Sequence, residues 1–323
     1  YIHIIILSNF IFSYTEIPDL VTKVATTTGN WLKLETGARS VGMAGAQVAA
    51  ASGVAAVSYN PASIAFINKG QAYFSHTMLY ADISHSTFAF GKRLTNTDFF
   101  ALNLFYVDSG DMVRTEPGFD SGELGMFKMT GLCMRGSYAK ILTDRLKVGV
   151  SVKYIREKIW LATMQTFAID IGSNFNTGIY GLILGMSVSN FGPEGSFNGE
   201  ALNVSVPDSL SASGELARLT NSFPIPMTFR LGLVKEIHIN SENKLKLALD
   251  GINPVDYTVH ANFGAEYSWR NLAFIRVGSH LLHDTASFTF GAGAKINSIN
   301  IDYALASYGV LDLTHQFGFR FGF

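Results

Sequence analysis

The chain has 323 residues, 48% of them hydrophobic and only 15% charged, with 24 Lys plus Arg against 25 Asp plus Glu. That balance excludes a protein that neutralises nucleic-acid phosphates through a basic excess, and the apolar share excludes an acidic disordered chain. Soluble domains are about one-quarter charged, so part of this surface is expected to face an apolar solvent.

The first apolar stretch, Ile4 to Phe12 (IIILSNFIF), is too short for a spanning helix, which takes about 20 residues. It reads as the apolar part of a secretory signal peptide, with residues 1–14 as its remnant. Gly42 to Val57 (GMAGAQVAAASGVAAV) lacks Leu and Ile, which favour bilayer insertion most, and Ser58-Tyr59-Asn60-Pro61 breaks it. Small side chains suit backbone packed closely inside a protein. Thr36 to Asn68 is therefore expected to form two short helical pieces broken at Gly42, Gly45 and Gly53. Residues 15–70 are read as a plug that enters a lumen from the periplasmic side. Cys133 is the only cysteine, which leaves no intramolecular disulfide and no cysteine-based metal site.

From Gln71 onward apolar and polar residues alternate with period two, the pattern of strands with two different faces. In Arg145–Tyr154, Leu146, Val148, Val150, Val152 and Tyr154 oppose Arg145, Lys147, Gly149, Ser151 and Lys153. About fourteen such segments are predicted, at 71–79, 82–93, 98–107, 130–140, 145–156, 162–174, 180–190, 226–237, 243–251, 259–269, 272–280, 285–296, 298–306 and 314–323. Most are long enough to cross a hydrocarbon core at a tilt, whereas globular strands have a mode of about 5–6 residues. The fold class is therefore all-β: a transmembrane antiparallel barrel over residues 71–323, with a short helical N-terminal plug in its lumen.

The two longest connections, Asp108–Met129 and Phe191–Ile225, follow the third and seventh strands and so share one end, the outer end of such a barrel. Lys or Arg at the bilayer midplane costs about 2–4 kcal/mol, so the apolar faces are assigned to lipid. The opposite faces hold Arg135, Lys153, Asp170, Arg230, Lys246, Asp250, Glu266, Arg276, Asp302 and Arg320. Both signs are present, as ion-paired ladders in a polar interior require. The chain closes on the aromatic-alternating HQFGFRFGF, ending at Phe323, the kind of terminal strand expected of an outer-membrane barrel.

Gly37-Ala38-Arg39-Ser40 with Gly42-Met43-Ala44-Gly45-Ala46, then Tyr59-Asn60-Pro61-Ala62, resembles the N-terminal signature of the PorV/PorQ family. Pro226–Gly232, Ile301-Asp302-Tyr303-Ala304, Tyr308-Gly309, Thr314-His315 and the closing Phe strand are similar to it as well. That family belongs to the FadL-like fourteen-stranded barrels of the bacterial outer membrane. The resemblance implies a non-enzymatic role accessory to type IX protein secretion, holding or docking cargo, with a secretion translocon and cargo proteins as partners. The alternative it implies is FadL-like passage of a hydrophobic small molecule such as a fatty acid, through the plug and a side opening in the wall.

No catalytic constellation is found, and no zinc helix or nucleophile elbow; no metal or cofactor is expected, and no nucleic-acid partner. His76 and His85 read as structural, and His280 and His283 frame an outer turn with metal binding as the minor reading. Asp108-Ser109-Gly110-Asp111 is read as a polar turn because it lacks the remaining ligands of a calcium loop. Tyr59, Asn60 and Pro61 are the candidate ligand or plug residues, with plug packing as the plainer alternative. In the Phe191–Ile225 connection, Leu210, Leu216, Leu219 and Phe223 are candidates for partner contact or for a lid.

Overall fold

The structure, a computed structural model, describes residues 24, 26–115, 118, 124–206, 214–283 and 287–323. The signal-peptide assignment and Leu210 lie outside the described residues. Fourteen long strands follow one another around a barrel. They are β1 Gly70–Met78, β2 Ser84–Arg93, β3 Asp98–Asp108, β4 Met129–Ile141, β5 Leu146–Ile159, β6 Ala162–Asn176 and β7 Leu182–Phe191. The second half comprises β8 Thr228–His238, β9 Asn243–Pro254, β10 His260–Trp269, β11 Ala273–Leu281, β12 Phe288–Ile296, β13 Ile299–Ser307 and β14 Leu313–Gly322. Each pairs antiparallel with its sequence neighbours, and β14 returns to β1 from Gln71↔Gly322 to Met78↔His315. Closure removes the exposed sheet edges, which hydrocarbon cannot hydrogen-bond. The predicted spans differ from these only by a few residues at their ends.

Alternation sorts the side chains as expected. Along β5, Ser151, Lys153, Ile155 and Glu157 are buried while Val150 and Val152 are exposed. The exposed set around the barrel is apolar and aromatic, including Phe88, Leu102, Phe167, Ile171, Ile275 and Phe319. Of the ten charged residues assigned to the interior, Arg230, Lys246 and Arg320 are half-buried and the other seven are buried. The interior is less uniformly polar than expected. Phe99, Phe105, Val107 and Ile155 also point inward, because they cover apolar residues of the chain that fills the lumen: Phe99 packs in one cluster with Val54, Val57 and Ile64, and Phe105 in another with Trp31.

That luminal segment precedes β1. It consists of one α-helical turn, α1 Ala38–Val41, and 3₁₀ turns at Asn30–Lys33, Val54–Ala56 and Pro61–Phe66. These are shorter than the two helical pieces expected, because the chain reverses direction at Ala44 and Gly45, both at positive φ (50° and 68°). The path also differs from entry at the periplasmic, short-turn end. Thr28 N–H donates to Pro224 O at 3.0 Å, Lys33 pairs with Asp256 at 2.7 Å, and the Trp31 ring lies beside Phe105 near the start of the first long connection. The described segment therefore begins at the outer end and crosses the lumen to Gly70, where the Gly70 N–H bonds Phe323 O at the short-turn end. Ion pairs and backbone bonds to the outer connections decide this route, and residue spacing carries no sign of them.

The segment touches the wall with its backbone. A Cβ at Gly149 would lie 2.5 Å from Ala62 N, one at Gly185 2.4 Å from Val48 O, and one at Gly278 2.4 Å from Ala44 N. Gly136 on β4 has nothing within 4 Å of such an atom. Gly185→Val is expected to cost about 1–3 kcal/mol by overpacking and to lower the temperature at which the folded barrel loses its compact migration in detergent gels. Gly136→Val is expected to leave that temperature unchanged.

Candidate functional site

Asn60 and Pro61 anchor the luminal segment. Asn60 caps the 3₁₀ turn, its Oδ1 accepting from the Ala62 N–H at 3.0 Å, and Pro61 occupies the first turn, where its missing N–H costs nothing. The Asn60 Nδ2 donates to Val48 O and to Ser173 O on β6, both at 2.8 Å. Its side-chain amide is thus engaged on both sides and the residue is fully buried. Gly172 leaves room for it, since a Cβ there would fall 2.2 Å from Asn60 Oδ1. Pro61 is buried with Asn60.

Tyr59 is placed differently. Its hydroxyl donates to Thr36 O and accepts from the Thr36 N–H, each at 3.1 Å, and its carbonyl accepts from Ser187 Oγ at 2.8 Å. Its ring borders a cavity of ≈ 530 Å³ on the outer side of the segment. Leu34 and Glu35 line this cavity from the segment, and Arg230, Ile252, His280 and Tyr308 from the outer half of the barrel. Burial, and next to it the Glu35 carboxylate, pushes the Tyr59 and Tyr308 hydroxyls well above the ordinary tyrosine range, so both remain protonated.

The cavity combines apolar wall with a few converging polar groups, the general composition of small-molecule sites. Glu35 Oε1 meets His280 Nε2 at 2.9 Å, and Glu35 Oε2 is buried with no hydrogen-bond partner among the described residues. His280 and His283 lie 5.9 Å apart between ring centroids, and His260 joins them 5.4 Å from His283. Among the described residues, no group of His, Cys, Asp or Glu has the arrangement of a metal site. His85 is buried edge-on against Phe105, while His76 bonds Ser86 at 3.0 Å. Asp108 folds its turn back by accepting from the Gly110 N–H at 3.0 Å and from Lys128 at 2.9 Å.

The floor of the cavity on the β4–β7 side is a buried charge network. Lys153 Nζ pairs with Asp170 at 2.6 Å, and Arg135 approaches the same carboxylate at 3.4 Å. Arg135 also donates to Asn103 on β3 at 2.7 Å and to Ser58 of the luminal segment at 2.9 Å. The β6–β7 register shifts between Ile169 and Ile171, and there Asn190 turns inward at φ 62°. Its N–H donates to Asp170 at 2.7 Å, its Oδ1 accepts from Lys153 and its Nδ2 donates to Pro226 O at 2.9 Å. Bulges re-aim a side chain in this way. Above the bulge the wall stays covered, since Phe191 pairs with Ile169 and the short strand Phe197–Asn198 pairs with Met164 and Thr163. The registers of β2–β3 and β3–β4 run on without a shift. Among the described residues, β6–β7 is the strand pair whose register is recorded as shifted.

The spacing of the sequence does not single out Glu35, Asn190 or His260. The only local sign is that Asn tolerates positive φ, which does not locate a bulge. Two losses follow from the geometry. Asp170→Asn leaves Lys153 and Arg135 buried without a counter-charge and is expected to cost about 3–5 kcal/mol in urea unfolding of the folded barrel. Asn60→Ala removes the cap and both amide bonds and is expected to cost about 1–3 kcal/mol by the same measurement.

Comparison with known proteins agrees with this architecture. The CymD monoaromatic hydrocarbon channel superposes with TM-score 0.61 at 12% identity, covering 89% of this chain and 97% of its own. The toluene transporter TodX of Pseudomonas putida gives 0.60 at 15% identity with coverages of 89% and 97%. A FadL homologue from Pseudomonas aeruginosa gives 0.56 at 12%, with 89% and 98%. At these identities the similarity establishes the fold alone, a fourteen-stranded barrel of the kind these channels have. No curated protein matches the chain. The family model described as type IX secretion system protein PorV matches residues 19–252, from before the luminal segment into β9, and on that match the chain belongs to the PorV family.

Proposed function

We propose that this protein is a non-enzymatic outer-membrane barrel accessory to type IX protein secretion, holding or docking cargo at the membrane. The family match over residues 19–252 carries this reading. The geometry supports it: a luminal segment held by Asn60, Pro61 and backbone contact across glycines makes a rigid platform. Residues 15–70 serve in this proposal as the plug, and the apolar stripes of β1–β14 meet outer-membrane lipid. The outer connection around Leu219 and Phe223, both exposed, is the surface offered to a translocon or cargo.

A second reading, passage of a hydrophobic small molecule, draws on the outer cavity, where Leu34, Tyr59 and Ile252 present apolar surface. The two are separated by isolating the tagged, full-length protein in mild detergent. Co-isolation with a larger translocon barrel, together with loss of cargo from the cell surface when the gene is deleted, is the expected result. Unchanged cargo export in the deletion strain, with a fatty acid or hydrocarbon co-purifying in the cavity, would replace the secretion reading with transport.

A further inference from the structure

The barrel has a second concavity at its opposite, short-turn end, of ≈ 560 Å³, bounded by the base of the luminal segment and the inner ends of β9–β14. Its lining contains Arg39, Lys69, Lys246, Arg276, Lys295 and Arg320 but only one acidic side chain, Glu266. That carboxylate is already committed. Arg39 grips it through two nitrogens at 2.8 and 3.0 Å, and Arg276 donates to it at 2.7 Å while reaching Asp302 at 2.7 Å with its other arm. Lys246 has Glu236 at 3.5 Å.

Two cations remain. Lys295 and Arg320 are half-buried, and neither side chain has a hydrogen bond or ion pair among the described residues. They occupy one cross-strand row, Lys295↔Asn300↔Arg320, with the Asn300 side chain between them. All three line the concavity, and the Asn300 amide has no protein partner among the described residues either. Strands lie about 4.8 Å apart, so the two cations stand about 10 Å apart at the backbone and their long side chains can converge on one group. Arg320 lies in the field of the Asp302 carboxylate as well as of the Arg39 and Arg276 cations, and Asp302 is already held by Arg276.

We propose that this short-turn vestibule binds a phosphate-bearing anion, with Arg320 and Lys295 as its charged contacts and Asn300 as a neutral donor between them. A phosphomonoester carries about −1.5 to −2 charges, which matches two unpaired cations better than a single carboxylate does. The planar arginine fork suits two phosphate oxygens, and lysine adds a point charge. This end is periplasmic in an outer-membrane barrel. The phosphate can therefore come from a soluble periplasmic compound or from a headgroup of the inner leaflet. The proposal is independent of the secretion reading.

The test uses the full chain folded in a zwitterionic detergent, titrated with inorganic pyrophosphate by calorimetry. Saturable binding is expected, weakening at least tenfold in K295Q/R320Q, weakening with added salt, and unchanged in K158Q, which alters an exposed lysine at the outer end of β5. Compact gel migration before heating verifies that each variant is folded. If the pair prevents folding, K295Q and R320Q are read singly, each with a several-fold loss expected. In a second arm the protein is placed in nanodiscs containing phosphatidic acid, whose headgroup is a phosphomonoester, and analysed by native mass spectrometry. Retained lipid that is lost in K295Q/R320Q identifies a headgroup source, and pyrophosphate binding without retained lipid identifies a soluble one. Absence of both pyrophosphate and lipid binding in the wild type, or binding indifferent to Lys295 and Arg320 in folded variants, overturns the proposal.

Discussion

The luminal segment lies with its main chain directly against the barrel wall, at distances that leave room for a hydrogen and nothing larger. At Gly149, Gly185 and Gly278 a methyl group would overlap backbone atoms of Ala62, Val48 and Ala44. Such contact leaves no room for water between segment and wall at these positions, and it obliges the segment's buried amides to find protein partners. They find them in wall side chains. Asp250 Oδ2 accepts from the Val48 N–H at 2.8 Å, Thr289 Oγ1 from the Ala44 N–H at 3.0 Å, and Asn174 donates to Ala49 O at 3.0 Å. The alanine-rich composition of residues 42–57 follows from the same restriction, since larger side chains have nowhere to go.

Filling the lumen brings charge into a dry place, and the arrangement of that charge divides the molecule. On the β4–β7 side, Asp170 serves Lys153 and Arg135, with Asn190 supplying a neutral bond to both lysine and carboxylate. On the β10–β13 side, Glu266 and Asp302 are joined through Arg276 and extended by Arg39 into the luminal segment. Buried ions are tolerable when each has a partner and further hydrogen bonds. Both networks meet that condition and tie the segment to opposite walls. The outward faces solve the opposite problem: their Phe, Leu, Ile and Val have no protein to cover them, and the outer-membrane lipid takes that role. Between the networks lie two spaces of different character, an outer cavity edged by tyrosines and histidines and a short-turn vestibule edged by lysines and arginines.

Much of this is legible in the sequence. Arg145–Tyr154 alone assigns which side chains face lipid and which face the lumen, and the long connections after β3 and β7 share an end by parity. Tyr59-Asn60-Pro61 stood out as a break in a small-residue run. The structure separates its members: Asn60 and Pro61 are buried anchors, and the Tyr59 ring borders the outer cavity. His280 and His283 were legible as a pair, whereas His260 joins them from the neighbouring strand β10, far away in chain order.

Period-two alternation depends only on the pleat, in which adjacent residues point to opposite faces, so strand number, strand length and sidedness were determined by the sequence alone. The route of residues 26–69 depends on interactions between distant parts of the chain: Thr28 with Pro224, Lys33 with Asp256, Arg39 with Glu266. The inward fold of Asn190 depends on one register shift against β6, and the row of Lys295, Asn300 and Arg320 on how three strands align. Contacts of this kind leave no local pattern, because each is fixed by the closure of the whole barrel and by what fills it. Only the tertiary structure could therefore decide the path through the lumen, the partners of the buried charges and the two cavities they leave.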